Sequence, residues 1–167
     1  MTNLSPLIRL TDKSAKMIKD LTESGIIELL QNNYVGSLGF IAHKSPYVLP
    51  VTYYYDRENN YVISYALEGH KTSALRENPM VSLLVYERDS MEHWRSVLLH
   101  GVYEELNQIE AKYYLKEFSE GIRKLLEDRG SDEDWYIKDF SVKSETEGIP
   151  LVFRICINEW SGKYRDG

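Results

Sequence analysis

The sequence predicts a mainly β, α+β domain in which short antiparallel strands form a curled sheet flanked by helices. Three observations predict it. Runs rich in Val, Ile, Leu and Tyr recur through residues 35–106 with turn residues between them. The links between the first three runs are short and polar, as hairpins require. After Asn107 the apolar spacing lengthens to that of an amphipathic helix.

The elements follow in order. Residues 1–20 are polar with scattered apolar positions, whereas Ile26, Ile27, Leu29 and Leu30 before Asn32-Asn33 predict a short helix with one buried face. Strands are expected over residues 36–42, 47–55, 61–66, 81–86 and 97–106. Lys44-Ser45-Pro46 is a tight link and residues 56–60 a polar hairpin loop, so the first three strands read as an antiparallel meander that curls toward a barrel. A helix-like run covers 74–78. Ile109, Tyr113, Phe118, Ile122, Leu125 and Leu126 then fall at helical spacing, which predicts a long helix over about 108–129. Residues 131–134 form an acidic break, 135–140 suit either structure, and 145–148 lead into a return strand over about 151–158. One domain spans 1–167.

Composition bounds the function. At 167 residues the chain can bury a real core, and 43% apolar with 28% charged residues is the profile of a globular protein. A formal net charge of −6 argues against broad nucleic-acid binding, which needs clustered Lys and Arg, yet is compatible with holding a single phosphate. Cys156 is the only cysteine, so no intrachain disulfide can form, and its place among apolar strand residues reads as packing. With no basic leader and no apolar run of membrane-spanning length, the expectation is cytoplasmic.

The most informative stretch is Glu68-Gly69-His70-Lys71-Thr72-Ser73, between a strand-like and a helix-like run. Unpaired N–H groups and the dipole at a helix start favour an anion, and Lys71 adds a full charge. The same residues also suit an ordinary capped turn. A nucleotide P-loop is excluded because His70 separates Gly69 from Lys71 and the earlier glycine is missing, and no Gly-x-Gly-x-x-Gly follows a strand. His43, His70, His93 and His100 lack metal-site spacing, so no permanent metal is expected. Gly-x-Ser-x-Gly is absent, which leaves hydrolase chemistry unsupported. Along Tyr53-Tyr54-Tyr55, alternation gives at least one aromatic face for a flat ligand or a second subunit, although strand propensity explains most of the tyrosines. His43-Lys44 reads as a turn.

Several of these segments together resemble the pyridoxamine 5′-phosphate oxidase-related flavin-binding split-barrel proteins, and within them the nitroimidazole-resistance branch. The resemblance lies in Val35-Gly36-Ser37-Leu38-Gly39-Phe40, in Pro46-Tyr47-Val48-Leu49-Pro50-Val51-Thr52-Tyr53, in residues 63–71 and in Leu75-Arg76-Glu77-Asn78-Pro79-Met80-Val81. It continues through Trp94-Arg95-Ser96-Val97 with Gly101, and Trp160-Ser161-Gly162-Lys163. It implies a split β-barrel of about six or seven mostly antiparallel strands, forming a homodimer with FMN at the subunit interface. By the same resemblance Pro50, Val51, Thr52 and Tyr53 lie beside the isoalloxazine, Ser64 and Ala66 approach the cofactor, and His70 and Lys71 meet its phosphate. Trp94 and Ser96 complete the pocket, from the neighbouring subunit if the site is shared.

The implied activity is that of an FMN-dependent oxidoreductase passing electrons from NAD(P)H to a small acceptor, with the flavin rather than a side chain carrying them. A non-enzymatic binder or sensor of flavin, haem or deazaflavin is the alternative, since the fold is reused for those ligands. Two departures stand out. Ser64 occupies a place where the family commonly has histidine, and His70 one where an arginine often precedes the lysine, which removes a bidentate phosphate grip.

Overall fold

In a computed structural model of the chain, which describes residues 17–130 and 150–167, eight strands form one antiparallel sheet accompanied by three helices. The order is β1 (Lys19–Asp20), α1 (Glu23–Gln31), β2 (Val35–Ala42), β3 (Ser45–Thr52), β4 (Tyr54–Asp56) and β5 (Tyr61–Ala66). It continues with α2 (His70–Glu77), β6 (Met80–Arg88), β7 (His93–Glu105), α3 (Gln108–Asp128) and β8 (Leu151–Asp166). In space the strands run β3-β2-β6-β7-β8-β5-β4, with β1 added on β8. The predicted class, mostly β with flanking helices, is the one observed. Residues 131–149, which hold the expected acidic break and the 135–140 segment, lie outside the described residues.

The two ends of that path, β3 and β4, are neighbours in the chain and are separated by Tyr53 alone. A sheet whose first and last strands are one continuous piece of backbone must curl round on itself, and the result is a barrel. Tyr53 is the joint. Its side chain is fully buried, its hydroxyl donates to the Leu30 carbonyl at 2.9 Å, and its own N–H donates to Tyr34 O at 2.8 Å. The strand expected over 47–55 is therefore two, because Tyr53 bonds out of the ladder. In place of the expected three-strand meander, β2 to β5 pair as two hairpins, β2–β3 and β4–β5, on opposite edges of the sheet.

The return strand also runs further than its apolar pattern suggests. β8 follows β7 to Asp166, with one irregularity in register between His100 and Gly101. At Gly101 the two strands approach so closely that a Cβ would lie 2.4 Å from the Cys156 carbonyl oxygen and 2.7 Å from Ile155 Cγ2.

Alternation explains the core. Leu38 and Phe40 of β2, Leu83 and Val85 of β6, Val97 and Leu99 of β7, and Phe153 and Ile155 of β8 all point into the barrel. Ile26, Leu29 and Leu30 of α1 pack on the same cluster. A second cluster lies outside the barrel, where Tyr114, Phe118, Ile122 and Leu126 of α3 cover Ile63 and Val152. Each such side chain contributes about 1.5–3 kcal/mol when fully buried. Thr22 caps α1 by accepting from Gly25 N, and Asn107 caps α3 by accepting from Ile109 N and Glu110 N.

Candidate functional site

The barrel carries a split beside the Tyr53 joint. β4 pairs with β5 as Tyr54↔Ile63, Tyr55↔Val62 and Asp56↔Tyr61. Continuing that register would set Thr52 against Tyr65 and Val51 against Ala66, but the ladder ends at Tyr54 and β3 swings away. A side-chain hydrogen bond spans the divergence, with Ser64 Oγ donating to Thr52 O at 2.7 Å. The lips of the split are thus residues 50–52 on one side and 64–66, followed by the start of α2, on the other. Among the described strands β3 pairs only with β2, so its far edge lies outside the ladder. Pro46 and Pro50 suit an edge, since neither has an N–H to donate.

The start of α2 is a cradle without an internal occupant. The helix is N-capped by Gly69, which makes no side-chain cap hydrogen bond, and a Cβ placed there would meet nothing within 4 Å. The Thr72 hydroxyl, fully buried, turns back to accept from Gly69 N at 2.9 Å and serves the loop rather than the helix start. The backbone at Gly69 is extended, so the absence of a side chain, not a special dihedral, is what this glycine provides. Lys71 is half-buried, and desolvation draws its pKa below the ordinary lysine range. It has no carboxylate or hydrogen-bond partner among the described residues. A cation drawn partly out of water with no anion beside it is able to receive one.

The carboxylate beside the cradle, Glu68, lies 3.4 Å from the Thr72 hydroxyl and is tied to an arginine. Glu68 pairs with Arg76, whose Nη2 lies 2.8 Å from Glu68 Oε2 and whose Nε lies 2.6 Å from Glu105 Oε1. Tyr103 adds a hydrogen bond to Glu105 at 2.8 Å. The Arg76 hydrogen bonds hold the Glu68 carboxyl below its usual range. Replacing Arg76 with alanine is expected to release Glu68 and weaken anion binding at Lys71. The loss should be larger at low salt than at high salt, as a phosphate titration at two ionic strengths will read.

The remaining expected site residues separate into groups. Pro50 is exposed on its lip, while Val51 and Ala66 are buried and close the floor. Ser64 is buried and engaged with Thr52, and the Tyr53 side chain is enclosed in the core. His70 is exposed at the first turn of α2. Trp94 and Ser96 lie on the outward face of β7, where Trp94 pairs with Arg88 and Arg165, and Ser96 with Tyr86 and Lys163. Two strands, β2 and β6, stand between β7 and β3, a distance of roughly 14 Å at ordinary strand spacing. Within one subunit these two residues do not join the split.

Sequence reasoning missed two features. The Glu68–Arg76–Glu105–Tyr103 network joins residues far apart in the chain and leaves no local motif. The His43 ring stacks on His70 at 5.3 Å between centroids, and Tyr47 meets His70 edge-on at 5.9 Å. Only the basic pair His43-Lys44 hinted at this arrangement.

The family model described as pyridoxamine 5′-phosphate oxidase matches residues 22–163. The chain belongs to the pyridoxamine 5′-phosphate oxidase family. That match takes in both lips of the split, the α2 cradle and most of β8. A FAD-binding protein from Mesorhizobium loti has a similar structure, with a TM-score of 0.67 and 25% identity over 90% of this chain and 99% of that one. A putative 5-nitroimidazole antibiotic resistance protein from Bacteroides thetaiotaomicron superposes with a TM-score of 0.62, covering 89% of each chain at 17% identity. That likeness is one of fold alone, so the nitroimidazole-resistance branch is a distant structural neighbour within the pyridoxamine 5′-phosphate oxidase fold. An uncharacterized protein of Rhizobium meliloti is 38% identical over 61 residues, which are 36% of this chain and 39% of that protein. Among the described residues no helix is long and apolar enough to cross a membrane, and no group of three or more His, Cys, Asp or Glu is placed to hold a metal ion.

Proposed function

We propose that this protein is a flavoprotein that holds its cofactor by the 5′-phosphate, FMN being the smallest flavin that carries one, and that it passes electrons from NAD(P)H to a small acceptor. The observation that carries the reading is Lys71, half-buried and unpaired beside a helix start that Gly69 leaves open. Family membership and the FAD-binding Mesorhizobium loti relative support a flavin in particular. The cradle fits a phosphate through Lys71 and the first-turn N–H groups, and the open edge of β3 offers backbone groups to a planar ring. A bound flavin supplies the electron-carrying chemistry, which the side chains of the split do not.

The homodimer belongs to the same proposal. The outward face of β3-β2-β6-β7 exposes Val48, Ile41, Val35, Met80, Leu84, Tyr86 and Leu98, among them Val48 at 67% and Tyr86 at 61%. An apolar face of this kind suits a second copy, which would bring Trp94 and Ser96 to the site that one subunit leaves incomplete.

The test is titration of the purified protein with FMN and riboflavin. Lys71→Ala is expected to weaken FMN by about 1.5–3 kcal/mol, the usual worth of a hydrogen bond to a charged group, with riboflavin unaffected. Equal FMN affinity in both proteins would remove Lys71 from the site. The pH dependence has a defined sign. The lysine pKa is lowered in the free protein, so the unfolded chain binds more protons between that value and the ordinary one, and the free protein gains stability as pH rises through this window. A phosphate favours the charged amine, so FMN affinity should fall across the same window. Rapid mixing with NADH or NADPH then separates an electron-transfer enzyme from a simple flavin binder, because a binder will not bleach the flavin on a catalytic timescale.

A further inference from the structure

His43 and Lys44 form the two central residues of the β2–β3 turn, closed by the pair Ala42↔Ser45, and both have left-handed backbone angles, φ 49° and 65°. Asn and Gly are the residues that such a turn accepts readily. Here a histidine and a lysine occupy it instead. The turn holds the His43 ring in a stack with His70, 5.3 Å between centroids at an interplanar angle of 23°. Tyr47 abuts His70 edge-on and stacks in turn on Phe40 at 5.6 Å and 18°. His43 and His70 are exposed and Tyr47 is 39% exposed, so the stack presents ring faces and edges to solvent. It begins at the residue next to Lys71.

We infer that this ring cluster is a platform for the adenylate half of a dinucleotide flavin, so that the ligand the protein prefers is FAD rather than FMN. The inference rests on the flavin reading above. A nucleobase stacks on exposed aromatic and imidazole rings whatever its identity. FMN ends at the phosphate that Lys71 meets, whereas FAD continues through a second phosphate to adenosine. The stack that begins at His70 would receive the base, and Lys44, next to His43 in the turn, would be the cation offered to the second phosphate.

The experiment compares FMN and FAD binding, by fluorescence titration and by what is retained after gel filtration, in the natural protein and in His43→Gly and His43→Phe. His43→Gly relieves the left-handed backbone, so it should fold at least as well as the natural chain. FAD is expected to bind the natural protein about tenfold or more tighter than FMN, and His43→Gly should remove most of that preference while leaving FMN unchanged. His43→Phe, which keeps a ring without the basic nitrogen, should retain the preference. Equal affinity for the two flavins, or an equal loss of both in His43→Gly, would overturn the platform while leaving the flavin reading intact. Loss of the preference in His43→Phe would overturn stacking as its basis. Failure of the natural protein to bind either flavin would overturn the flavin reading and this inference with it.

Discussion

Gly69→Asp is expected to abolish tight flavin binding while leaving the thermal midpoint unchanged or raised. The two effects have one origin. Aspartate is a stronger N-cap than glycine by a few tenths of a kcal/mol, and the Cβ it adds meets no neighbour within 4 Å. Its carboxylate would take the first-turn N–H groups and pair with Lys71, which now has no anion beside it. A phosphate would then meet a negative charge in place of several charge-assisted hydrogen bonds, each worth about 1.5–3 kcal/mol. A loss of roughly a hundredfold or more in FMN and FAD affinity follows. The paired measurement is a flavin titration and a melt of the flavin-free protein. A variant that melts as before and still binds flavin would show that no phosphate enters at Gly69.

Gly101→Val should produce the largest loss of stability among substitutions outside that site. Glycine lies on the inward, crowded side of the β7–β8 pair at the point where their register shifts, and the atoms nearest its missing side chain include backbone. A Cβ 2.4 Å from Cys156 O cannot be relieved by a rotamer change, because the strand itself must move. Overpacking a well-filled core costs about 1–3 kcal/mol, occasionally more, and the clashing Cβ with its two methyl groups puts this case at about 3 kcal/mol. Denaturant unfolding of the flavin-free protein will read it as a lower midpoint with an unchanged slope. A loss below about 1 kcal/mol would mean that the two strands separate easily there.

Much of the fold was legible because alternation and hairpin chemistry act locally. The apolar residues of β2, β6 and β7 point inward as their two-residue period requires, and Asn107 opens α3 where the period changes. The break at Tyr53 was not legible. All three tyrosines of that stretch favour strands, and only the distant partners Leu30 and Tyr34 draw Tyr53 out of the ladder. The far half of β8 was hidden for a similar reason. Its Asn158, Glu159, Ser161, Gly162 and Lys163 show no apolar period, and Gly162 is small because Leu21 and Ile26 lie where its Cβ would be, at 2.7 Å.

The candidate site was legible only where it is contiguous. Residues 68–73 offered an anion cradle or a capped turn by their own chemistry, and the structure adds that Lys71 is unpaired among the described residues and Glu68 tied to Arg76. The lips of the split depend on where the β4–β5 ladder stops, which is a property of the closed barrel. The stacked rings of His43 and His70 meet only because the β2–β3 turn reaches the start of α2. A single chain read in order does not bring such residues side by side.

The position of β8 in the sheet has a kinetic consequence. It lies between β7 and β5, and among the described strands it is the one whose ladder pairs the four-strand section β3-β2-β6-β7 with the hairpin β5-β4. It is also the last described strand to be synthesised. Until it arrives, the nascent chain carries two sheet fragments with open edges at β5 and β7, tethered by sequence but not zipped together. Such edges invite pairing with other chains. Barrel closure is therefore a late step dominated by contacts between residues far apart in sequence, the kind of step that makes folding slow. Refolding yield should fall with rising protein concentration, and a synthetic peptide of residues 151–166 supplied in trans should compete with closure by occupying the gap between the fragments.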